Sequence, residues 1–219
     1  MSTRRSIPLV KAHAFGNDFL LTRAADVASA TDISALAREV CDRHRGIGGD
    51  GLMLVTPTAD GADTLLWNAD GSRAEISGNG VRCAAAWLAQ QRDTPVGESL
   101  ILGTVAGHRR LTLLARDDGR FTFRAEMGPP ADVREETIDV AGTPVRCVVL
   151  RVGNPQCVVL GPVTDERLHS IASKLAVHSF FPEGTNVELA TVESPDVVKI
   201  LIWERGVGPT EASGTGACA

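Results

Sequence analysis

Over most of the 219-residue chain, apolar residues alternate with polar ones or run together in short stretches, a pattern typical of β-strands. Helical spacing occurs three times: at about residues 32–43, from Ser77 onward, and at about residues 165–177. The second helix is apolar on nearly every side, because its interior reads Val-Arg-Cys-Ala-Ala-Ala-Trp-Leu-Ala. A helix of that kind is buried, so we expect a sheet to curl around it.

Strands are predicted where short apolar or alternating runs are bounded by turn residues such as glycine, asparagine and aspartate. The predicted strands are residues 7–14, 19–22, 52–56, 65–68, 99–105, 109–115, 120–127, 136–141, 145–151, 156–160, 187–192 and 197–204.

An internal repeat organises the chain. Five pairs of identical residues are each 136 positions apart, which is the signature of a duplicated unit. Gly16-Asn17 also recurs as Gly153-Asn154, and Asp50 corresponds to Asn186. The repeat predicts two lobes of one topology, residues 1–117 and 118–219, each bringing a Ser-Gly-x-Gly turn to a shared cleft. The pairs are Trp67 and Trp203, Glu75 and Glu211, Ser77 and Ser213, Gly78 and Gly214, and Gly80 and Gly216.

The second copy of the buried helix begins at Ser213 and has made hardly one turn at Ala219. By symmetry with the residues that follow the first copy, we expect the second lobe to be incomplete.

Composition narrows the class of protein. The net charge of -5 does not favour nucleic acid or an anionic membrane surface, and no apolar run reaches membrane-spanning length. The N-terminus carries Arg4 and Arg5 but no apolar signal core. Five irregularly spaced cysteines suit reduced thiols in the cytoplasm, and neither a disulfide framework nor a structural zinc site is indicated.

A Ser-Gly-x-Gly turn that opens a helix presents free backbone N–H groups and the positive end of the helix dipole. Such a turn binds a carboxylate and stabilises a thiolate or a developing enolate. One turn alone is explained as well by a capped helix start, since serine is a favoured N-cap residue. Two turns in register favour a site that holds an amino acid by its α-carboxylate and inverts the α-carbon without a cofactor.

Six motifs, in order along the chain, resemble the diaminopimelate epimerase family. The resemblance implies conversion of LL- to meso-diaminopimelate without pyridoxal phosphate, for lysine and peptidoglycan synthesis. It also implies an α/β (α+β) fold with two pseudo-symmetric lobes, each a mixed, mostly antiparallel sheet curled around a central helix. The motifs are His13-Ala-Phe-Gly-Asn-Asp-Phe19, Trp67-Asn-Ala-Asp-Gly71, Ser77-Gly-Asn-Gly-Val-Arg-Cys83, Gly153-Asn-Pro155, Trp203-Glu-Arg-Gly206 and Ala212-Ser-Gly-Thr-Gly-Ala-Cys-Ala219.

The resemblance also implies roles for particular residues. Ser77 and Ser213 occupy the positions of the two catalytic bases, and Glu204 and Arg205 form an acidic–basic pair in which Arg205 meets the distal carboxylate. The expected ligand is a small-molecule amino-acid substrate, and a homodimer is possible. The implied substrate-binding residues are Asn17, Asn68, Asn154, Asn186 and Arg205, with Gly78, Asn79, Gly214 and Thr215 at the backbone donors for the α-carboxylate.

The chain departs from the family pattern at the bases themselves. The family has cysteine where this chain has Ser77 and Ser213, histidine where it has Gln156, and glutamine where it has Gly51. An isolated hydroxyl is a far weaker acid than a thiol. Cys83 and Cys218 lie deeper in their helices, and we expect both to be buried apolar residues.

Three hypotheses therefore stay open. The chain is an epimerase-like protein with low activity, a related isomerase or lyase that acts on another amino acid with a carboxylate base, or a non-catalytic amino-acid-binding protein. The carboxylate candidates are Glu75, Glu211, Glu204 and Asp70.

Overall fold

The computed structural model describes residues 6–219, so the basic residues weighed for a signal sequence lie outside the described residues. Contacts between residues divide the chain into two units, with the division after Glu126. The sequence analysis placed the boundary at Asp117, which instead ends a strand whose pairing partner, Arg120–Ala125, belongs to the same sheet.

The first unit contains one eight-stranded mixed sheet with the order β1-β2-β3-β4-β6-β7-β8, and β5 pairs with β4. The β2–β3 and β4–β6 pairs are parallel and the others antiparallel. The elements are β1 Val10–Ala14, β2 Asn17–Arg23, α1 Ile33–Cys41, β3 Gly51–Pro57, β4 Gly61–Asn68, β5 Arg73–Ala74, α2 Gly78–Arg92, β6 Ser99–Thr104, β7 Gly107–Asp117 and β8 Arg120–Ala125.

The two helices cover different sets of side chains of this sheet. Helix α1 is capped by Asp32, which accepts a hydrogen bond from the backbone of Ala35, and packs on Leu20 and Leu52. Helix α2 contacts strands from both edges, β1 and β8, as well as β2, β4 and β6 between them. The sheet therefore curls around α2, as predicted from its apolar surface. The buried residues of α2 are Gly78, Asn79, Gly80, Val81, Cys83, Ala84, Ala85, Leu88 and Ala89.

The second unit contains a six-stranded sheet with the order β14-β13-β12-β11-β10-β9, in which only β11 and β12 are parallel. Its helical segments follow one another without a break, and their residues Leu168, Ala172 and Leu175 lie in the core. The elements are β9 Ala131–Val140, β10 Thr143–Arg151, β11 Pro155–Leu160, α3 Asp165–Arg167, a π-helical segment Leu168–Ala172, α4 Ser173–Ala176, β12 Asn186–Ser194, β13 Val197–Glu204 and β14 Gly208–Thr210.

Strands β10–β14 repeat the pairing pattern of β1–β5, as the internal repeat predicted. In the first sheet Leu52 pairs with Trp67, and in the second Val187 pairs with Trp203. Because the two tryptophans correspond, Gly51 corresponds to Asn186. The sequence had matched Asn186 to Asp50, one residue away, and a slip of one residue exchanges the two faces of a strand.

The two cysteines of the helix motifs differ in environment. Cys83 is buried in α2, and burial raises the pKa of its thiol to about 12. Cys218 is exposed, so its predicted burial was wrong. The helical segment there is one 3-10 turn, Gly216–Cys218, too short to present a covered face. Within residues 6–219, no helix has both the length and the apolar character needed to cross a bilayer.

The small residues of α2 allow the sheet to pack closely against it. We expect Ala85→Leu to lower the free energy of unfolding by about 1–3 kcal/mol, because the larger side chain overpacks a fully buried position. Gln90→Leu, at an exposed position of the same helix, is the matched control. Chemical denaturation of the two variants measures the difference, and equal stabilities would contradict the enclosed position of α2.

Candidate active site

Ser77 begins the central helix of the first unit. Its Oγ accepts a hydrogen bond of 3.0 Å from the backbone N–H of Gly80, the arrangement of a serine N-cap. A methyl group on Gly80 would lie 2.9 Å from Cε of Met53, so the turn packs closely against this side chain of β3. The predicted Ser-Gly-x-Gly turn therefore exists, and its serine is half-buried.

Two asparagines expected in the site lie together beside this turn. The side chain of Asn79 donates to Asn17 at 3.4 Å, and Asn17 donates to the carboxylate of Asp50 at 2.6 Å. Asn68 bonds within its own turn, where its amide donates to the hydroxyl of Ser72 at 2.9 Å. Of the three, Asn17 and Asn79 are thus joined to each other and to the helix start.

A cluster of charged side chains holds Asn17 in place through its hydrogen bond to Asp50. The sequence analysis did not predict this cluster. Arg43 bonds Asp18 at 2.7 Å and Asp50 at 2.8 Å, and Lys11 lies 3.0 Å from Asp18. Burial opposes ionisation of Asp18, but the hydrogen bonds and charges of Arg43 and Lys11 outweigh it and lower its pKa to about 2. The partners come from separate elements, so no local motif indicated the cluster.

Ser213 makes the equivalent turn in the second unit. Its Oγ accepts a hydrogen bond of 3.2 Å from Gly216 and lies 3.4 Å from the hydroxyl of Thr215. Asn154 donates to that threonine at 3.5 Å, and Gln156 donates to Asn154 at 2.7 Å. The contact between Asn154 and Thr215 repeats the contact between Asn17 and Asn79. Gln156 lies at the position where the family has histidine. It thus orients Asn154, which is expected to bind the substrate.

The remaining predicted residues meet at the end of β13. The backbone N–H of Arg205 donates to the side chain of Asn186 at 2.9 Å, and its guanidinium donates to the carbonyl of Glu183 at 2.8 Å. Glu204 is half-buried on β13. Asn186 therefore holds the Arg205 backbone in place.

A buried carboxylate, Glu188, lies beside the Ser213 turn and was missed by sequence reasoning. Its side chain is 1% exposed, and burial, followed by the charge of Glu204, raises its pKa to about 8. Asp70 and Glu211, two of the carboxylates that the sequence analysis named as candidate bases, are exposed to solvent, in contrast to Glu188. No cluster of three or more His, Cys, Asp or Glu side chains suited to a metal ion occurs in the part of the chain from residue 6 onward.

Comparison with known proteins decides the family. A family model described as diaminopimelate epimerase matches residues 9–133 and 148–219. The chain belongs to the diaminopimelate epimerase family. The protein named diaminopimelate epimerase from Desulforudis audaxviator is 40% identical over 225 residues, which cover 95% of this chain and 80% of that protein. The one from Pelotomaculum thermopropionicum is 36% identical with the same coverage, and the chloroplastic one from Oryza sativa is 33% identical over 99% of this chain and 67% of its own.

Solved structures agree on the fold. A probable proline racemase from Agrobacterium radiobacter matches with a TM-score of 0.73 at 17% identity, covering 96% of this chain and 74% of the other. A hydroxyproline epimerase from Agrobacterium vitis matches with a TM-score of 0.68 at 16% identity, covering 99% and 76%. At such identities the likeness supports the architecture, whereas the chemistry has to be argued from the residues.

The ion pairs of Asp18 should make the first unit sensitive to acid. A carboxyl with a lowered pKa contributes stability that is present above about pH 4 and is lost as the pH falls toward 2. We expect Asp18→Asn to lower the free energy of unfolding by about 1–3 kcal/mol at pH 7 and to reduce its fall between pH 4 and 2. Urea titrations at pH 7 and between pH 4 and 2 measure the two effects, with Asp26→Asn at an exposed position as control. Identical pH profiles for the wild type and Asp18→Asn would contradict this role.

Proposed function

We propose that the chain inverts LL- to meso-diaminopimelate by proton transfer at the α-carbon, without a cofactor, in lysine and peptidoglycan synthesis. The observation that carries the proposal is the repeated turn, in which Ser77 and Ser213 each cap a helical start beside a polar pair. Family membership supports the same reaction class. The cytoplasm is the compartment consistent with that pathway, and homodimerisation remains a prediction.

Each turn supplies what an α-carboxylate and its developing enolate need. Backbone N–H groups at a helical start bind a carboxylate, and they stabilise negative charge more strongly as it grows in the transition state. In this proposal Gly78, Asn79, Gly214 and Thr215 provide these groups. Asn17 and Asn154 line the substrate pocket with their side-chain amides. Arg205 binds the distal carboxylate with its guanidinium.

The reaction needs one acid–base group on each face of the α-carbon, and both positions carry serine. A serine hydroxyl does not ionise near neutral pH, so it transfers a proton well only when another group takes its own proton. We therefore propose slow turnover compared with cysteine-containing relatives. A second candidate, an isomerase or lyase with a carboxylate base, is favoured by one observation, the buried Glu188 beside Ser213.

Replacing both serines by cysteine should raise activity. Each thiol would lie at a helical start, where the dipole and free N–H groups lower its pKa. We expect Ser77→Cys with Ser213→Cys to increase epimerisation by about 100-fold or more, and either single change to increase mainly α-proton exchange. Deuterium incorporation in heavy water and chiral chromatography measure the two outcomes, with Ser29→Cys at an exposed site as control. No gain in a double variant that still binds diaminopimelate would refute the proposed roles of the serines.

Arg205 should distinguish diaminopimelate from amino acids with one carboxylate. We expect Arg205→Ala to weaken binding of diaminopimelate by about 1.5–3 kcal/mol, the range for a hydrogen bond to a charged group, and to leave a monocarboxylate analogue nearly unaffected. Titration calorimetry with both ligands is the measurement. Equal losses for both would assign Arg205 to holding the loop through Glu183, the contact seen in the structure.

A further inference from the structure

The carboxylate of Glu188 lies against the Ser213 turn. A methyl group on Gly216 would be 2.6 Å from Oε1 of Glu188 and 3.3 Å from Oγ of Ser213. Both oxygens therefore lie close to the Gly216 backbone, on the side where a Cβ atom would be, although they make no hydrogen bond to each other in this structure. Among the described residues, neither oxygen of Glu188 has a hydrogen-bond partner of good geometry.

Packing does not require a carboxylate at this position. The pairing of Met53 with Leu66 on β3 and β4 corresponds to the pairing of Glu188 with Ile202 on β12 and β13. Met53 is likewise buried and touches the glycine of its own turn, Gly80, in the same way. A buried polar group without a partner costs stability. The fold thus accepts a thioether where the second unit retains a buried acid.

The surroundings of Glu188 leave both protonation states accessible near neutral pH. Burial raises its pKa most, and the charge of Glu204 on β13 raises it further. The backbone N–H groups of Glu188 and of Cys157 on β11 oppose the shift. The net pKa of about 8 suits a group that both accepts and returns a proton at physiological pH.

We propose that Glu188 is the proton acceptor and donor for Ser213. The step requires substrate binding to bring the Ser213 hydroxyl within hydrogen-bond reach of Glu188. As the hydroxyl of Ser213 then takes the α-proton of the substrate, its own proton passes to a carboxylate oxygen of Glu188, and the electron pair of the broken C–H bond stays on the substrate as an enolate. In the reverse step the protonated Glu188 returns its proton to Ser213, which protonates the α-carbon. Glu188 acts through Ser213 and is a positioning residue; the inference rests on the proposed function.

The same inference makes the two faces of the reaction unequal. Met53 cannot take a proton, so the thioether beneath the first turn offers Ser77 nothing equivalent. Proton exchange at the face served by Ser213 should therefore exceed net inversion of the α-carbon. We expect deuterium to enter one diaminopimelate isomer faster than the other isomer appears.

The test uses the full chain with Glu188→Gln, Glu188→Met and Glu188→Asp. We expect the glutamine and methionine variants to lose α-proton exchange by about 100-fold and the aspartate variant to recover part of it. Glu188→Met should remain folded, because Met53 occupies the equivalent position. The exchange rate of the wild type at saturating substrate should change through a pKa near 8, and the glutamine variant should lack this transition.

A cysteine background separates a proton role from a structural one. A thiol at position 213 ionises by itself, so Ser213→Cys should make exchange nearly insensitive to Glu188→Gln. Equal losses in the serine and cysteine backgrounds, or no loss in either, would overturn the inference. Wild-type exchange and calorimetry of diaminopimelate binding distinguish the failures: exchange in the wild type that Glu188→Gln leaves unchanged rejects the role of Glu188, whereas absence of binding or of exchange in the wild type rejects the proposed function.

Stability gives a readout that needs no substrate. Because the folded state raises the pKa of Glu188 above its ordinary 4.5, the wild type should lose stability as the pH rises from about 4.5 to about 8. Glu188→Met should remove this contribution and flatten the profile. A wild-type profile identical to that of Glu188→Met would show an ordinary exposed carboxyl and overturn the inference.

Discussion

The close approach of a helical start to a strand is the constraint on which both Ser-Gly-x-Gly turns depend. A Cβ atom at Gly80 would lie 2.9 Å from the end of the Met53 side chain, and one at Gly216 would lie 2.6 Å from the Glu188 carboxylate, so glycine at these positions allows each turn to lie close against the strand. This contact fixes the depth of the turn and with it the position of the serine oxygen, which the N–H of the same glycine binds. Once the turn is placed, the strand residue under the glycine becomes a neighbour of the serine. The chemistry available to each serine is therefore set by one position on β3 or β12.

The two units use the same backbone for different surroundings. In the first unit the turn is joined through Asn79 and Asn17 to an ion cluster, in which Arg43 and two carboxylates fix the start of β2. In the second unit the equivalent contacts run through uncharged groups, from Thr215 to Asn154 and Gln156. In the second unit the nearby ionisable group lies instead beneath the turn, at Glu188. Duplication thus preserved the geometry that presents the serine and its N–H groups, while the side chains that surround the serine differ between the copies.

Local sequence patterns predicted most of the elements, but not the short strands β5 and β14 or the buried acid. The helix after Ser77 was predicted to be enclosed because apolar residues surround it, and the structure agrees since both edges of the sheet contact it. The burial of Glu188 was not predicted, because a glutamate on a strand is usually exposed to solvent. The fixed period of 136 matched it to Leu52, on the face toward α1, whereas strand pairing matches it to Met53, on the face toward α2. Only the register, which depends on pairing across the sheet, decides which face a residue occupies.

A buried acid without a hydrogen-bond partner of good geometry lowers the stability of the fold. The first unit has Met53 at the equivalent position, so the fold does not require an acid there. Serine at both base positions leaves the hydroxyl groups without the low pKa that a thiol has. In the role we propose, a carboxyl whose pKa lies near 8 supplies a proton acceptor for one of them, Ser213. Structures with this fold include proteins described as racemases, epimerases and a member of the phenazine biosynthesis family. Since the scaffold is common to them, differences in reaction have to come from the residues that each protein places on it. The loss of stability at Glu188 is explained if its proton is used by Ser213.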